Sequence, residues 1–76
     1  MNVTRDEMLS IIEGAGVSVD VGTIKCDASL SKAGIDSLEM MNVFLAIEEK
    51  AGIKIPDEDI NALDTVDDII AYLQRR

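Results

Sequence analysis

The clearest helix signal in the chain runs from Asp36 to Gly52 and reads DSLEMMNVFLAIEEKAG. Asp36 and Glu39 form a D-x-x-E capping box, in which each carboxylate accepts a backbone N–H that the first turn of a helix leaves unpaired. Gly52 is a stop signal, because glycine readily adopts the left-handed conformation that ends many helices. The pattern therefore predicts a helix over residues 37–51.

This helix has two apolar faces when its residues are placed at 3.6 per turn. We assign to the core the face that carries Met40, Val43, Phe44, Ile47 and Ala51. The second face carries Leu38, Met41, Asn42, Leu45, Glu48 and Glu49. One helix of a small bundle cannot fully bury both faces. The second face is therefore either a wide margin of the core or a surface on which a partner docks.

The first part of the chain predicts one helix followed by a long loop. Thr4 and Glu7 form a capping box, apolar residues repeat at helical spacing, and Gly14 and Gly16 end the helix. Residues 15–35 show no helical period, although the valines alternate as in a strand. A lone strand has no partner in this chain, so we predict an ordered loop that packs its apolar side chains inward.

Two further helix signals follow residue 52. Pro56 suits the first position of a helix, because its missing N–H would be unpaired there anyway, and we predict a short third helix from Asp57 to Ala62. Asp64 or Thr65 then caps a final helix, whose inner face carries Val66, Ile69, Ile70 and Leu73. Together the signals predict an all-α four-helix bundle with three longer helices, a short third helix and a long ordered loop between the first two. With 76 residues in all, we expect one domain over residues 1–76.

Composition excludes several classes of function. Asp and Glu number 15 against 7 Lys and Arg, a net charge of −8, which disfavours binding to nucleic acids and to anionic membranes. Residues 36–68 hold ten acids and two bases, which accounts for the whole net charge and favours partners with a basic surface. The absence of His excludes a Ser-His-Asp triad and a His-ligated zinc. The single cysteine, Cys26, the polar N-terminus and the lack of a membrane-length apolar run predict a cytoplasmic protein.

Ser37 is the notable hydroxyl of the chain, since it begins the central helix. A serine at that position is usually a helix cap, and the surrounding residues do not form the G-x-S-x-G pattern of a hydrolase nucleophile.

At five places the sequence resembles the acyl carrier protein family. The matching segments are DASL at 27–30, AGIDSLE at 33–39, AIEE at 46–49, IPD at 55–57 and TVDDIIAYL at 65–73. They span nearly the whole chain in the family's order and spacing. The resemblance, together with the length, implies a freestanding carrier of a dissociated, type II-like system.

The resemblance implies a site and a covalent cofactor. Ser37, between Asp36 and Leu38, would receive 4′-phosphopantetheine from coenzyme A through a phosphopantetheinyl transferase. The thiol of the arm would hold acyl intermediates as thioesters. The protein itself would be a non-catalytic carrier. Asn42 stands where fatty-acid carriers usually have an acid, so fatty acid, polyketide, nonribosomal-peptide and specialised lipid pathways all stay open.

The resemblance also implies a docking face for enzymes with basic patches. Its residues would be Leu38, Glu39, Met41, Leu45, Glu48 and Glu49. The partners would be the transferase and acyl-processing enzymes of ketosynthase, acyltransferase or ligase type, and the carrier itself would be a monomer. The apolar interior could either open to shelter an acyl chain or form a plain packed core; the residues concerned are Phe44, Ile55, Ile60, Leu63 and Ile69.

Two other functions compete with a carrier. One is an unmodified acidic module that docks through the same helix. The other is a calcium site, because Asp57, Asp59, Asn61 and Asp68 occupy positions 1, 3, 5 and 12 of an EF-hand pattern. Ala62 replaces the glycine that this pattern requires at position 6, so we predict no metal site.

Overall fold

Four α-helices and one 3₁₀ turn make up the regular structure in the computed structural model, which describes residues 3–75. They are α1 (Arg5–Gly14), the 3₁₀ turn (Val21–Thr23), α2 (Ser37–Ala51), α3 (Asp57–Ile60) and α4 (Val66–Gln74). No strand forms among the described residues. The predicted all-α fold, with its short third helix and its long loop after α1, is confirmed. Three residues of the expected 1–76 domain, at its two ends, lie outside the described range.

Side chains cap the helices where local sequence predicts it. Thr4 Oγ1 accepts the Glu7 N–H at 3.1 Å, and Glu7 Oε1 accepts the Thr4 N–H at the same distance. The box at α2 is also complete, with Asp36 Oδ1 accepting the Glu39 N–H at 2.8 Å. Of the two candidates for α4, Thr65 is the cap. These bonds satisfy donors that the first turn of each helix leaves without a helical acceptor.

The third helix begins at Asp57, as predicted, and ends before its predicted end at Ala62. Pro56 is the residue before the helix and not its first residue. The helix ends at Ile60 instead of Ala62, because the N–H groups of Ala62 and Leu63 bond to carbonyls only three residues back. The chain therefore tightens into a turn after a single turn of α-helix.

The core lies where α1 packs against both α2 and α4. Val43, Phe44 and Ile47 of the predicted core face of α2 are buried, and Met40 and Ala51 are partly buried against them. The remaining buried side chains come from every part of the chain: Val3, Met8, Ile12, Val21, Leu30, Ile35, Ile55, Leu63, Val66, Ile69 and Leu73. Burial of this apolar surface is the main favourable term in folding.

The loop between α1 and α2 is ordered by backbone hydrogen bonds to the α3–α4 region. The Leu30 N–H donates to the Asp64 carbonyl at 2.7 Å, and the Asp67 N–H donates to the Cys26 carbonyl at 3.0 Å. These bonds fix the path by which the chain reaches the start of α2. Within residues 3–75, no helix has the length and apolar composition that crossing a membrane requires.

Candidate functional site

Ser37 is the first residue of α2, and its side chain is exposed to solvent. The N–H groups of Ser37 and Leu38 precede the first i to i−4 hydrogen bond, so they have no acceptor inside the helix. The helix dipole adds positive potential at the same place. A hydroxyl at this position can bear a phosphate ester whose charge these groups stabilise.

The chain makes a tight turn immediately before the site. Gly34 has φ +109°, and a Cβ there would lie 3.0 Å from Val19 Cγ1. The next residue, Ile35, is buried with 1% of its surface exposed. A buried Ile35 followed by the capping residue Asp36 anchors the backbone just before the exposed serine.

The second apolar face of α2 is exposed. Leu38, Met41 and Leu45 are 72%, 60% and 54% exposed, and no other large apolar side chain among the described residues is as open. These three residues are called the exposed apolar face below. Since they lie outside the core, the interpretation of this face as a wide core margin is wrong. An exposed apolar patch next to an acidic region is typical of a surface that binds other proteins.

The three glutamates of α2 differ in their surroundings. Glu39 accepts two backbone N–H groups, from Ser18 at 2.6 Å and from Asp36 at 3.3 Å. These two bonds hold the pKa of Glu39 below its usual range, the bond from Ser18 most strongly. Glu48 Oε2 accepts the Ile55 N–H at 2.6 Å, in a partly buried position.

Glu49 is exposed. Sequence reasoning placed all three glutamates in one docking role. It predicted the capping bond from the Asp36 N–H to Glu39, but it missed the bond from the Ser18 N–H to Glu39 and the bond from the Ile55 N–H to Glu48. No sequence pattern marks the two missed bonds, because their donors lie 21 and 7 residues away.

The acids at residues 57–68 do not form an EF-hand loop. Asp57 and Asp59 lie in α3, and Asp68 lies in the first turn of α4. Asp59 Oδ2 accepts the Tyr72 hydroxyl at 2.8 Å, which connects α3 to α4. In the described part of the chain, no group of three or more acidic, Cys or His side chains is placed to hold a metal ion.

Two surface grooves lie away from the serine. A groove of about 350 Å³ is formed by α3, α4 and the turn between them, and one of about 550 Å³ lies between α1 and α2. Ser37 lines neither groove. Of the residues named for a possible acyl-chain shelter, Phe44, Ile55, Leu63 and Ile69 are buried in the core, and Ile60 is partly buried against it.

Comparison with known proteins gives the same result at three levels. The family model of the phosphopantetheine attachment site matches residues 9–73. The chain is 39% identical over 67 residues to the acyl carrier protein of Bdellovibrio bacteriovorus, covering 87% of this chain and 83% of that protein. It is 38% identical over 80 aligned positions to the meromycolate extension acyl carrier protein of Mycobacterium tuberculosis, covering 99% of this chain and 69% of the relative.

A solved structure has the same fold. The solution structure of butyryl-ACP from the actinorhodin polyketide synthase of Streptomyces coelicolor superposes with a TM-score of 0.75. The match covers 99% of this chain and 95% of that one at 23% sequence identity. Since the family model spans most of the chain and the relatives align over nearly all of it, the chain belongs to the acyl carrier protein family, whose members carry 4′-phosphopantetheine and are carriers, not catalysts.

Proposed function

We propose that Ser37 is the residue on which this carrier holds its 4′-phosphopantetheine arm. The observation that carries the proposal is the exposed Ser37 hydroxyl at the first position of α2, beside N–H groups that have no helical acceptor. Asp36 caps the helix, and the Leu38 side chain, which is largely exposed, offers an apolar contact beside the attachment point. The residues present therefore suit a phosphodiester at this position.

The chemistry of attachment requires little from the carrier. The Ser37 oxygen bonds to the phosphorus of the arm, its proton passes to a base of the phosphopantetheinyl transferase, and adenosine 3′,5′-bisphosphate leaves coenzyme A. In this proposal the acid–base groups come from the transferase. When bound, the arm supplies a terminal thiol that holds an acyl group as a thioester.

Partner enzymes dock beside the serine in this proposal. The exposed apolar face provides contact area, and the exposed carboxylate of Glu49 attracts basic side chains. The partners are the transferase and acyl-processing enzymes of ketosynthase, acyltransferase or ligase type. The acyl groups belong to fatty acid, polyketide or related biosynthesis.

Mass spectrometry tests the attachment site. The chain is incubated with coenzyme A and a promiscuous phosphopantetheinyl transferase, and we expect a mass gain of one phosphopantetheinyl group. Ser37→Ala should gain nothing, because it lacks the hydroxyl that accepts the phosphoryl group. The control Ser10→Ala removes an exposed hydroxyl from α1 and should be modified like the wild type.

Circular dichroism should show equal helix content in the three proteins. A wild-type chain that stays unmodified would contradict the proposal and favour the unmodified interaction module. Modification of Ser37→Ala would place the arm on another residue.

A further inference from the structure

The Glu39 side chain connects two parts of the chain that are distant in sequence. Its Oε2 accepts the Ser18 N–H of the α1–α2 loop at 2.6 Å, and its Oε1 accepts the Asp36 N–H at 3.3 Å. In return the Glu39 N–H donates to Asp36 Oδ1 at 2.8 Å. The loop and the first turn of α2 therefore meet at a single carboxylate, two residues after Ser37.

A second contact joins the same two segments on the other side of Ser37. Val19, the neighbour of Ser18, lies so close to Gly34 that a Cβ on Gly34 would be 3.0 Å from Val19 Cγ1. Residues 18 and 19 thus touch the chain both before and after the turn that carries the serine. Two contacts from adjacent loop residues hold this turn more firmly than a capping box alone, because the capping box fixes only the helix start itself.

The surroundings of Glu39 separate it from the docking acid Glu49. A carboxylate that already accepts two N–H bonds gives up part of its hydrogen bonding if it turns towards a partner's basic group. Glu49, on the same helix, is exposed at the groove between α1 and α2. The two glutamates carry the same charge, but Glu39 accepts two backbone N–H bonds and Glu49 is exposed to solvent.

We infer that Glu39 is a positioning residue for Ser37, which clamps residues 18 and 19 of the loop against the start of α2 and so fixes the turn that presents the hydroxyl. This inference rests on the proposed attachment at Ser37. It gives Glu39 a task inside the carrier in place of the docking role that the sequence suggested.

The test compares Glu39→Gln with Glu49→Gln, since both remove one negative charge from α2. A glutamine carbonyl replaces one carboxylate oxygen, but its NH₂ group is a donor and cannot accept the other N–H. We expect Glu39→Gln to lower kcat of phosphopantetheinyl transfer by about ten- to a hundredfold, the upper value being the cost of misplacing a reacting group by about 1 Å, with the same loss at low and high salt. Glu49→Gln should raise KM at low salt only, since salt screens steering between exposed charges.

A third protein removes the donor and leaves the carboxylate in place. The 76-residue chain is within reach of chemical ligation, and an ester in place of the Val17–Ser18 amide deletes the Ser18 N–H without changing any charge. We expect this protein to show a salt-independent loss in kcat like that of Glu39→Gln. Adding Glu39→Gln to it should lower kcat little further.

Hydrogen exchange of the Ser18 and Asp36 amides and the NMR order parameter of Ser37 are measured without any transferase in the wild type and the two glutamine variants. In the ester protein, which has no Ser18 N–H, only the Asp36 amide and the order parameter of Ser37 are measured. We expect faster exchange and a lower order parameter in Glu39→Gln, and no change in Glu49→Gln. The inference is overturned if Glu39→Gln affects only KM at low salt, or if the amides and Ser37 are unchanged. If the wild type accepts no arm, the attachment proposal fails, while exchange and order still decide whether Glu39 holds the turn.

Discussion

At the scale of single residues, similar side chains on α2 have different tasks. Glu48 and Glu49 are sequence neighbours, but only Glu48 lies where its carboxylate reaches the Ile55 N–H, at 2.6 Å. Ile55 is buried with 2% of its surface exposed, so its N–H has little access to water. The Glu48 carboxylate satisfies this donor where the chain leaves α2 and turns towards α3.

This difference predicts unequal effects of two alanine substitutions. Glu48→Ala leaves the Ile55 N–H without its acceptor and should lower the free energy of unfolding by about 1–2 kcal/mol. Glu49→Ala is also a glutamate-to-alanine substitution on α2, and it should change the free energy of unfolding by less than about 0.5 kcal/mol. Urea unfolding monitored by circular dichroism measures both. Equal values for the two variants would show that the Glu48 bond contributes nothing measurable to stability.

The sequence left open whether Leu38, Met41 and Leu45 form a core margin or an exposed surface. It predicted the start of α2 at Ser37 and the shared face of these three residues, because these follow from a capping box and from helical spacing. Both depend only on residues within a few positions of one another. The bond from the Ser18 N–H to Glu39 depends on how the loop returns to α2, and the bond from the Ile55 N–H to Glu48 depends on how the chain leaves α2. They were therefore beyond reach of the local pattern.

At the scale of elements, α2 is bounded by two glycines with positive φ. Gly34 precedes it at φ +109°, and Gly52 ends it at φ +69°. Gly52 was recognisable from sequence as a stop signal after a helical run. Gly34 was not recognised as a turn glycine. The side chain that leaves no room for a Cβ at Gly34 is Val19, which lies 15 residues earlier in the chain.

The two glycines predict a graded response to alanine. Gly52→Ala meets open space, so it costs only the strain of a left-handed backbone, about 1–2 kcal/mol. Gly34→Ala adds a contact at 3.0 Å with Val19 and should cost more than Gly52→Ala. Thermal unfolding of the two variants compares these costs directly. If Gly34→Ala is no less stable than Gly52→Ala, then Val19 moves aside freely and does not hold the turn.

The bounds of α3 show what element-level patterns leave out. Proline and acids correctly indicate a short helix after residue 55, but its end depends on the chain tightening towards the buried Leu63. That burial comes from packing in the folded protein, and the helix-forming preferences of residues 57–62 carry no sign of it.

At the scale of the whole molecule, acidification has two opposing effects. The net charge of −8 means that protonation relieves repulsion among the acids, which favours the folded chain. Two carboxyl groups act in the opposite direction because their pKa values are lowered in the folded protein. Hydrogen bonds from the Ser18 and Asp36 backbone N–H groups lower the pKa of Glu39. Hydrogen bonding from Ser29, which has the largest effect, and from Ser31 lowers the pKa of Asp64.

The sign of the Glu39 contribution follows from its lowered pKa. A carboxylate whose pKa is lower in the folded than in the unfolded protein stabilises the fold above its unfolded pKa, and this stabilisation is lost as pH falls through the folded pKa. We therefore expect the wild type to exceed Glu39→Gln in stability at neutral pH. This difference in the free energy of unfolding should shrink once the pH falls below the usual pKa of a glutamate. The other acids are the same in both proteins, so their protonation affects both alike.

Urea unfolding of the two proteins from neutral pH down to about pH 3 measures this difference, because the effect of the shared acids largely cancels between them. A difference that stays constant over that range would mean that the Glu39 carboxylate does not hold the Ser18 and Asp36 amides in solution. A difference that disappears on acidification would connect the stability of the fold to the same two bonds that we infer to position Ser37.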